Sequence, residues 1–336
     1  MRTFQHGGDV ESFAKELGCS VDEIIDLSSN INHIKPKIEI DFNSIDSSAY
    51  PKYDKLYRDI SNHYHIDSKN LQIYNGASSA IFALFALKNL TKEKKCYIYT
   101  PAYLEYKRAS LLFGYEYIPI DRFSDMKKDI SNDSLVVFVN PSTPDGRYYN
   151  LDELMDRWIE KGATIIIDES FLEFCDKKSY IEYIERYDRV YIIKSMTKFY
   201  ASAGIRIGNI ISSTQNISKL KKYTPSWQLS IFDTIYIQEA LKDKSLKDRT
   251  LDELQRDKKA LIEIFQNYPY SKKIYQSDSN YLLIKLSIRA KEFQDILKQD
   301  KILIRDCSNF DGLDEYHIRV AIKDIASINK LKKVLL

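Results

Sequence analysis

The sequence predicts an α/β fold, a mostly parallel central sheet with helices on both faces, followed by a smaller α+β C-terminal part. Three observations carry the prediction. Short β-branched apolar runs alternate with segments of helical spacing between residues 71 and 195. Such alternation implies βαβ units and a sheet covered on both sides. Each run also ends in polar or turn-forming residues, where open α/β sheets gather their ligands.

The elements follow in order. The first 35 or so residues read as an arm: a polar start, a helix from Val10 to Leu17 ended by Gly18, then the loop DLSSNINHIKP. A helix is expected over 53–64. LQIYNG is a strand running into a turn, and ASSAIFALFALKNL is an apolar helix. CYIYTP is a strand, and AYLEYKRASLLFG is a helix closed by glycine. YEYIPI, LVVFVNP, TIIIDES and RVYIIKS are further strands, with LDELMDRWIEKG helical between them. Beyond about residue 215 the chain turns helical, with a long segment near 229–267. NYLLIKL, KILIRDC and YHIRVAI then read as strands, and a last helix begins near 323. These boundaries imply an arm over 1–40 that packs with the small domain, a large domain over 41–235 and a small domain over 236–336.

Composition narrows the function. Net charge is +2, with 50 basic and 48 acidic residues spread along the chain, so no electrostatic footprint for nucleic acid is visible. Four cysteines stand far apart with no CxxC pair, which suggests neither a disulfide framework nor a metal site. The start MRTFQHGGDV lacks a hydrophobic signal core. The longest apolar run, AIFALFAL, is well short of the roughly 20 residues a bilayer span needs. A cytoplasmic protein with no membrane partner is expected.

The strand ends carry the chemistry. Asn75-Gly76, Pro101-Ala102-Tyr103, Asn140-Pro141, Asp168-Glu169 and Ser195 to Lys198 would all meet at one edge of the sheet. Lys198 offers an amine for a Schiff base with an aldehyde cofactor; alone it would be read as one more solvent-facing lysine. Asp168 ends an apolar run, where a carboxylate is costly without a cationic partner such as a protonated pyridine, although it could equally cap the next helix. Arg206, between Gly204 and Gly208, could clamp a phosphate where the backbone approaches closely. Gly76, Ala77 and Ser78 open a helix whose free amides suit an anion, though a glycine turn with a serine cap would look the same. Tyr103 could stack on a planar ring. Taken together, these groups match what pyridoxal 5′-phosphate asks of a protein.

The motifs carry a resemblance as well. HGGDV at 6–10, DLSSNIN at 26–32, AYPKYDKL at 49–56, PAYLEY, IIDESFLEF and SMTKFYASAGIRIG occur in the order found in fold-type I pyridoxal-phosphate enzymes of the aspartate aminotransferase superfamily. Within it the chain resembles the threonine-phosphate decarboxylases of cobalamin biosynthesis more than the related histidinol-phosphate aminotransferases. ILIRDCSNFDGLDEYHIRVAI is the most specific stretch. The resemblance implies that Lys198 carries the Schiff base, that Asp168 pairs with the ring nitrogen, and that Ser195, Thr197 and Arg206 surround the cofactor phosphate. It implies that Tyr50 reaches the neighbouring subunit's cofactor, hence a homodimer. His6 and Arg305 would bind a substrate phosphate, and Asn32 and Arg319 would lie at its carboxylate. Two arginines on separate strands can also converge on an anion by physics alone, or pair with the acidic segment 306–315.

Two positions depart from the aminotransferase pattern. Phe171 stands where those enzymes have a tyrosine, as in the decarboxylases. The turn NPSTPDG places Thr143 where an asparagine usually holds the cofactor's phenolic oxygen. Decarboxylation of L-threonine O-3-phosphate or L-serine O-phosphate is the expected activity, with a histidinol-phosphate type of transamination as the alternative. No metal is expected.

Overall fold

The computed structural model describes residues 7–336, so His6 lies outside the described residues. The strands, in chain order, are β1 (Ile25–Asp26), β2 (Leu71–Asn75), β3 (Lys95–Thr100), β4 (Glu116–Asp121), β5 (Leu135–Val139), β6 (Thr164–Asp168), β7 (Val190–Ser195) and β8 (Ile207–Ser212). They continue with β9 (Ser271–Ile274), β10 (Tyr281–Leu286), β11 (Ile302–Leu303), β12 (Arg305–Asp306) and β13 (His317–Ala321).

Seven of them form the main sheet in the order β2-β8-β7-β6-β5-β3-β4. Every residue of β5 and β6 is buried, because helices cover both faces and no face is left for polar alternation. The strands from β4 to β7 run parallel, whereas β8 is antiparallel to both β2 and β7. Like β1 and β9, that strand is not among those the sequence predicts. IGNIIS follows a polar turn and carries a glycine and an asparagine, so its β signal is weaker than that of TIIID. Its glycine has a positional reason. A Cβ on Gly208 would lie 2.3 Å from the backbone nitrogen of Ala77, so β8 touches the start of the helix Gly76–Phe85 only because residue 208 has no side chain.

Other boundaries moved by a few residues. The helix after β2 is Gly76–Phe85, shorter than the apolar stretch suggested. The long helical region divides into Ile231–Ala240 and Leu246–Asn267. Asp243 sits in the break and accepts from the backbone of Ser245 and of Lys37, which holds the arm against it. The arm helix is Val10–Leu17, ended by Gly18 in the left-handed region (φ 65°), as the sequence suggests.

A second sheet, β12-β13-β10-β9, is antiparallel throughout. The arm follows it closely. β1 pairs in parallel with β11, and the Ala321 N–H donates to the Leu27 carbonyl at 2.8 Å. This brings residues 27–30 to the mouth of the cleft between the two sheets.

Candidate active site

The carboxyl ends of the parallel strands open onto a cavity of about 180 Å³. From the main sheet it is lined by Ala77, Ser78, Tyr103, Thr143, Asp168, Ser195, Thr197, Lys198 and Arg206. Arg305 and Arg319 close it from the second sheet. Ser29 and Asn30 of the arm complete the wall.

Lys198 sits in the short helix Met196–Phe199 directly after β7. Burial lowers its pKa to about 8, helped by the nearby positive charges of Arg319, Arg206 and Lys323. An amine with that pKa is a competent nucleophile and proton carrier near neutral pH.

Asp168 ends β6 fully inside the protein. Its Oδ1 accepts from the Ser170 N–H (2.9 Å) and Oγ (2.5 Å), and its Oδ2 accepts from the Tyr106 hydroxyl (2.7 Å). Burial raises its pKa, and these donors oppose the rise. Among the described residues no cation pairs with it. A buried carboxylate with three neutral donors and no counter-ion suits a cationic ligand atom.

The anion end is built by the two glycines and Arg206. A Cβ on Gly76 would fall 2.4 Å from Arg206 Nη2, and Gly76 itself takes φ +76°, so only glycine permits this contact. The Gly76 N–H is already given to the Arg206 carbonyl at 3.1 Å, so the free amides begin at Ala77 rather than at Gly76. No side chain caps the helix Gly76–Phe85, which leaves its N-terminal donors turned toward the cavity wall. Arg206 Nη1 donates to Thr197 Oγ1 (3.2 Å) and to the Ala203 carbonyl (3.2 Å). Gly204 meets nothing within 4 Å, so of the two glycines flanking Arg206 only Gly208 makes a close approach. The Tyr103 hydroxyl lies 3.1 Å from Ser78 Oγ, which ties the aromatic wall to the anion end.

Opposite stands an arginine pair. Arg305 and Arg319 are direct cross-strand partners on β12 and β13, and each is only 6% exposed. Like charges facing one another across a sheet are unfavourable unless an anion lies between them. Of the carboxylates in the segment 306–315, Asp311 holds Lys107 and Tyr117 and Asp314 holds Lys285 and His317, whereas the charge of Asp306 acts on the neighbouring Arg305. Arg319 donates to the Ser28 carbonyl (2.9 Å) and Thr143 Oγ1 (3.3 Å), while its Nε is buried with no partner. Arg305 donates to Asn309 Oδ1 at 2.8 Å.

Two residues lie away from this cavity. Asn32 was expected at the substrate carboxylate, but its amide donates to the Phe199 carbonyl and to Thr250 Oγ1, both at 3.0 Å. Its own N–H donates to the Lys198 carbonyl at 2.9 Å, so it supports the lysine loop, and Asn30 takes the place at the wall. Tyr50 is 72% exposed and stacks on Trp227 with ring centroids 4.3 Å apart. Two residues inside the motifs PAYLEY and ILIRDCSNF gain roles only from the structure: Phe310 lines the cavity, and Tyr106 stands behind it. The signal for Tyr106 was its spacing of one helical turn from Tyr103.

The residues present fit a pyridoxal phosphate: an amine of lowered pKa, a buried carboxylate without a counter-ion, and an anion cradle that a Cβ at 76 or 208 would fill. The molecule is a fold-type I pyridoxal-phosphate enzyme. Residues 24–335 match the model of the family described as aminotransferase class I and II, and the chain belongs to that family.

Three relatives show its range. A threonine-phosphate decarboxylase of Salmonella typhimurium is 26% identical, with 98% of this chain and 95% of that protein covered. An adenosylcobalamin biosynthesis bifunctional protein of Leptospira interrogans is 27% identical over 95% of this chain, and the chain spans only 39% of its length. Among solved structures, a histidinol-phosphate aminotransferase from Clostridium acetobutylicum superposes with a TM-score of 0.79 at 29% identity, covering 92% of this chain and 97% of that one.

Proposed function

We propose that the protein decarboxylates an O-phosphorylated amino acid, L-threonine O-3-phosphate or L-serine O-phosphate, giving aminopropanol phosphate or ethanolamine phosphate. The observation that carries this reading is the buried Arg305–Arg319 pair facing the cavity that holds Lys198. A substrate bearing both a phosphate and a carboxylate would place negative charge between these two buried guanidinium groups. Phe171 adds support, since a ring without a hydroxyl borders the cavity where aminotransferases of this resemblance have tyrosine.

When bound, the cofactor supplies an electron sink for charge developing at the substrate α-carbon. The protein's residues do the rest. Asp168 would hold the proton on the ring nitrogen. Ala77, Ser78, Thr197 and Arg206 would hold the cofactor phosphate. Arg305 takes the substrate phosphate, with His6 assigned beside it, and Arg319 meets the carboxylate. The phosphate is remote from the bond that breaks, so its binding energy serves orientation. The bond from the α-carbon to the carboxylate breaks, carbon dioxide leaves, and Lys198 delivers one proton to the α-carbon. Tyr50, exposed beside Trp227, would reach a second copy's cofactor in a homodimer. Among the described residues no helix is long and apolar enough to cross a membrane, which is compatible with a cytoplasmic enzyme.

A second reading has its own support in the 29% identical histidinol-phosphate aminotransferase structure. In that reading Arg305 would hold the phosphate of a phosphorylated amine, and Lys198 would move the α-carbon's proton while the amino group is transferred and no carboxylate is lost. Purified enzyme is mixed with phosphothreonine and, separately, phosphoserine, and carbon dioxide and amine products are followed. Carbon dioxide from either supports the decarboxylase and selects the substrate. No carbon dioxide from either, with bound cofactor converted to its amine form by an amino donor and restored by a keto acid, replaces that reading with transamination.

A further inference from the structure

We infer that Tyr106 is a positioning residue of this site: its hydroxyl anchors one oxygen of Asp168 and keeps that carboxylate ionised for the cofactor's ring nitrogen. The inference rests on the cofactor, not on which substrate is used.

Tyr106 lies in the helix Leu104–Leu112 with no exposed surface. It falls one turn after Tyr103, so the two rings stand on the same side of the helix, edge to face at 6.5 Å. Tyr103 borders the cavity; Tyr106 stands behind it and is absent from the lining. Its hydroxyl can therefore reach a ligand only through Asp168, to which it donates at 2.7 Å.

The division of donors is specific. Ser170 supplies both donors to Oδ1, and both come from a residue two places along the same loop. Tyr106 alone serves Oδ2, from a helix 62 residues away. Without it, that oxygen would lose its only side-chain donor among the described residues. A fully buried carboxyl with one side unpartnered shifts toward its neutral form. A neutral Asp168 could not hold a proton on the ring nitrogen, and the electron sink would weaken. Tyr106 is suited to the task because burial, and the Asp168 charge beside it, hold its own pKa well above the usual tyrosine range. It stays a donor at any pH where the enzyme works.

The competing explanation is a buried tyrosine that merely satisfies its hydroxyl. A double-mutant cycle on the cofactor-loaded enzyme separates the two: Tyr106→Phe, Asp168→Asn and the pair together. The readouts are cofactor Kd, the absorbance spectrum of bound cofactor, and kcat and KM with whichever substrate the wild type turns over. A hydrogen bond to a charged group predicts about a tenfold loss in kcat for Tyr106→Phe, with KM little changed, a displaced spectrum and weaker cofactor binding. In the Asp168→Asn background the same change adds nothing. A drop in thermal stability with spectrum, Kd and kcat at wild-type values overturns the inference, and so does an equal loss in both backgrounds. Should Tyr106→Phe fail to fold, Tyr106→3-fluorotyrosine retains the shape and donates more strongly. It then moves the spectrum in the direction opposite to Asp168→Asn, and an unmoved spectrum rejects the inference.

Discussion

Asp168 and Glu169 are neighbours at the end of one strand, and they lead opposite lives. Side chains alternate across a sheet, so the two carboxylates address different faces. Glu169 turns to the closed face, where its Oε2 meets Lys194 Nζ at 2.6 Å and its remaining capacity goes to Ser179 Oγ and the Tyr180 N–H, each at 2.6 Å. Both partners of that pair are buried and complete. Asp168 turns to the cavity with three neutral donors and, among the described residues, no cation. The same contrast divides the lysines four residues apart: Lys194 is paired with Glu169, and Lys198 has no carboxylate partner among the described residues. Buried charges that satisfy one another belong to the architecture, whereas buried charges that share a cavity and stay uncompensated await a ligand. That difference, more than any single residue, marks which face of the sheet works.

The contrast can be broken at either face. The largest effect is expected for Lys198→Ala, which should lower turnover about 1,000-fold or more, measured as product formed per folded molecule. Its companion Lys198→Met has a stability signature in the cofactor-free protein. The folded lysine has a pKa of about 8 against an ordinary 10.5, so between those values the unfolded chain binds more protons and stability rises with pH. Lys198→Met should therefore stabilise the cofactor-free protein by up to about 3 kcal/mol below pH 8, and the gain should disappear above pH 10.5. Urea unfolding at pH 7 and pH 10 reads it. A gain that does not shrink with pH would mean that the buried charge is not its source.

On the closed face Glu169→Gln leaves the Lys194 ammonium buried without its partner. A loss of about 3–5 kcal/mol in unfolding free energy is expected, with kcat per folded molecule little changed. If kcat fell while stability held, the division of the two faces would be wrong. Arg319→Met comes next. It should raise the KM for a phosphorylated amino acid about 10–100-fold, in line with lost charged hydrogen bonds, without lowering the stability of the ligand-free protein. Inorganic phosphate should compete with substrate in the wild type and less well in the variant. The smallest effect is placed at the anion cradle. Gly208→Ala forces β8 away from Ala77 at a cost of about 1–3 kcal/mol, read as roughly tenfold weaker cofactor affinity. Gly204→Ala, with open space around it, should leave affinity as it was, and equal effects at both would remove the cradle argument.

Much of this was legible in one dimension. Strands in a two-face sheet are local apolar runs, and strand ends announce themselves by the polar residues that follow. Thus Asp168 after TIII, Lys198 after RVYIIKS and Ala77-Ser78 after LQIYNG were visible as site candidates, and the structure brings them around one cavity. β8 was not visible as a strand, because its antiparallel placement is a matter of which neighbours accept it. Asn32 illustrates the same limit: its motif suggested a ligand contact, yet its amide is consumed by Phe199 and Thr250, 167 and 218 residues away.

The sequence by itself determined the class of fold and much of the chemical inventory of the cavity, because each depends on the period, ending or composition of a local segment; it offered Gly204 and Gly208 alike, and the tertiary structure chose Gly208. Only the tertiary structure decided which of those charges are compensated. It set Arg305 directly across from Arg319, joined Glu169 to Lys194, and passed the Tyr106 hydroxyl to Asp168. Those pairings depend on register and on helix placement against the sheet, and a buried charge takes its meaning from what lies within hydrogen-bond reach in three dimensions.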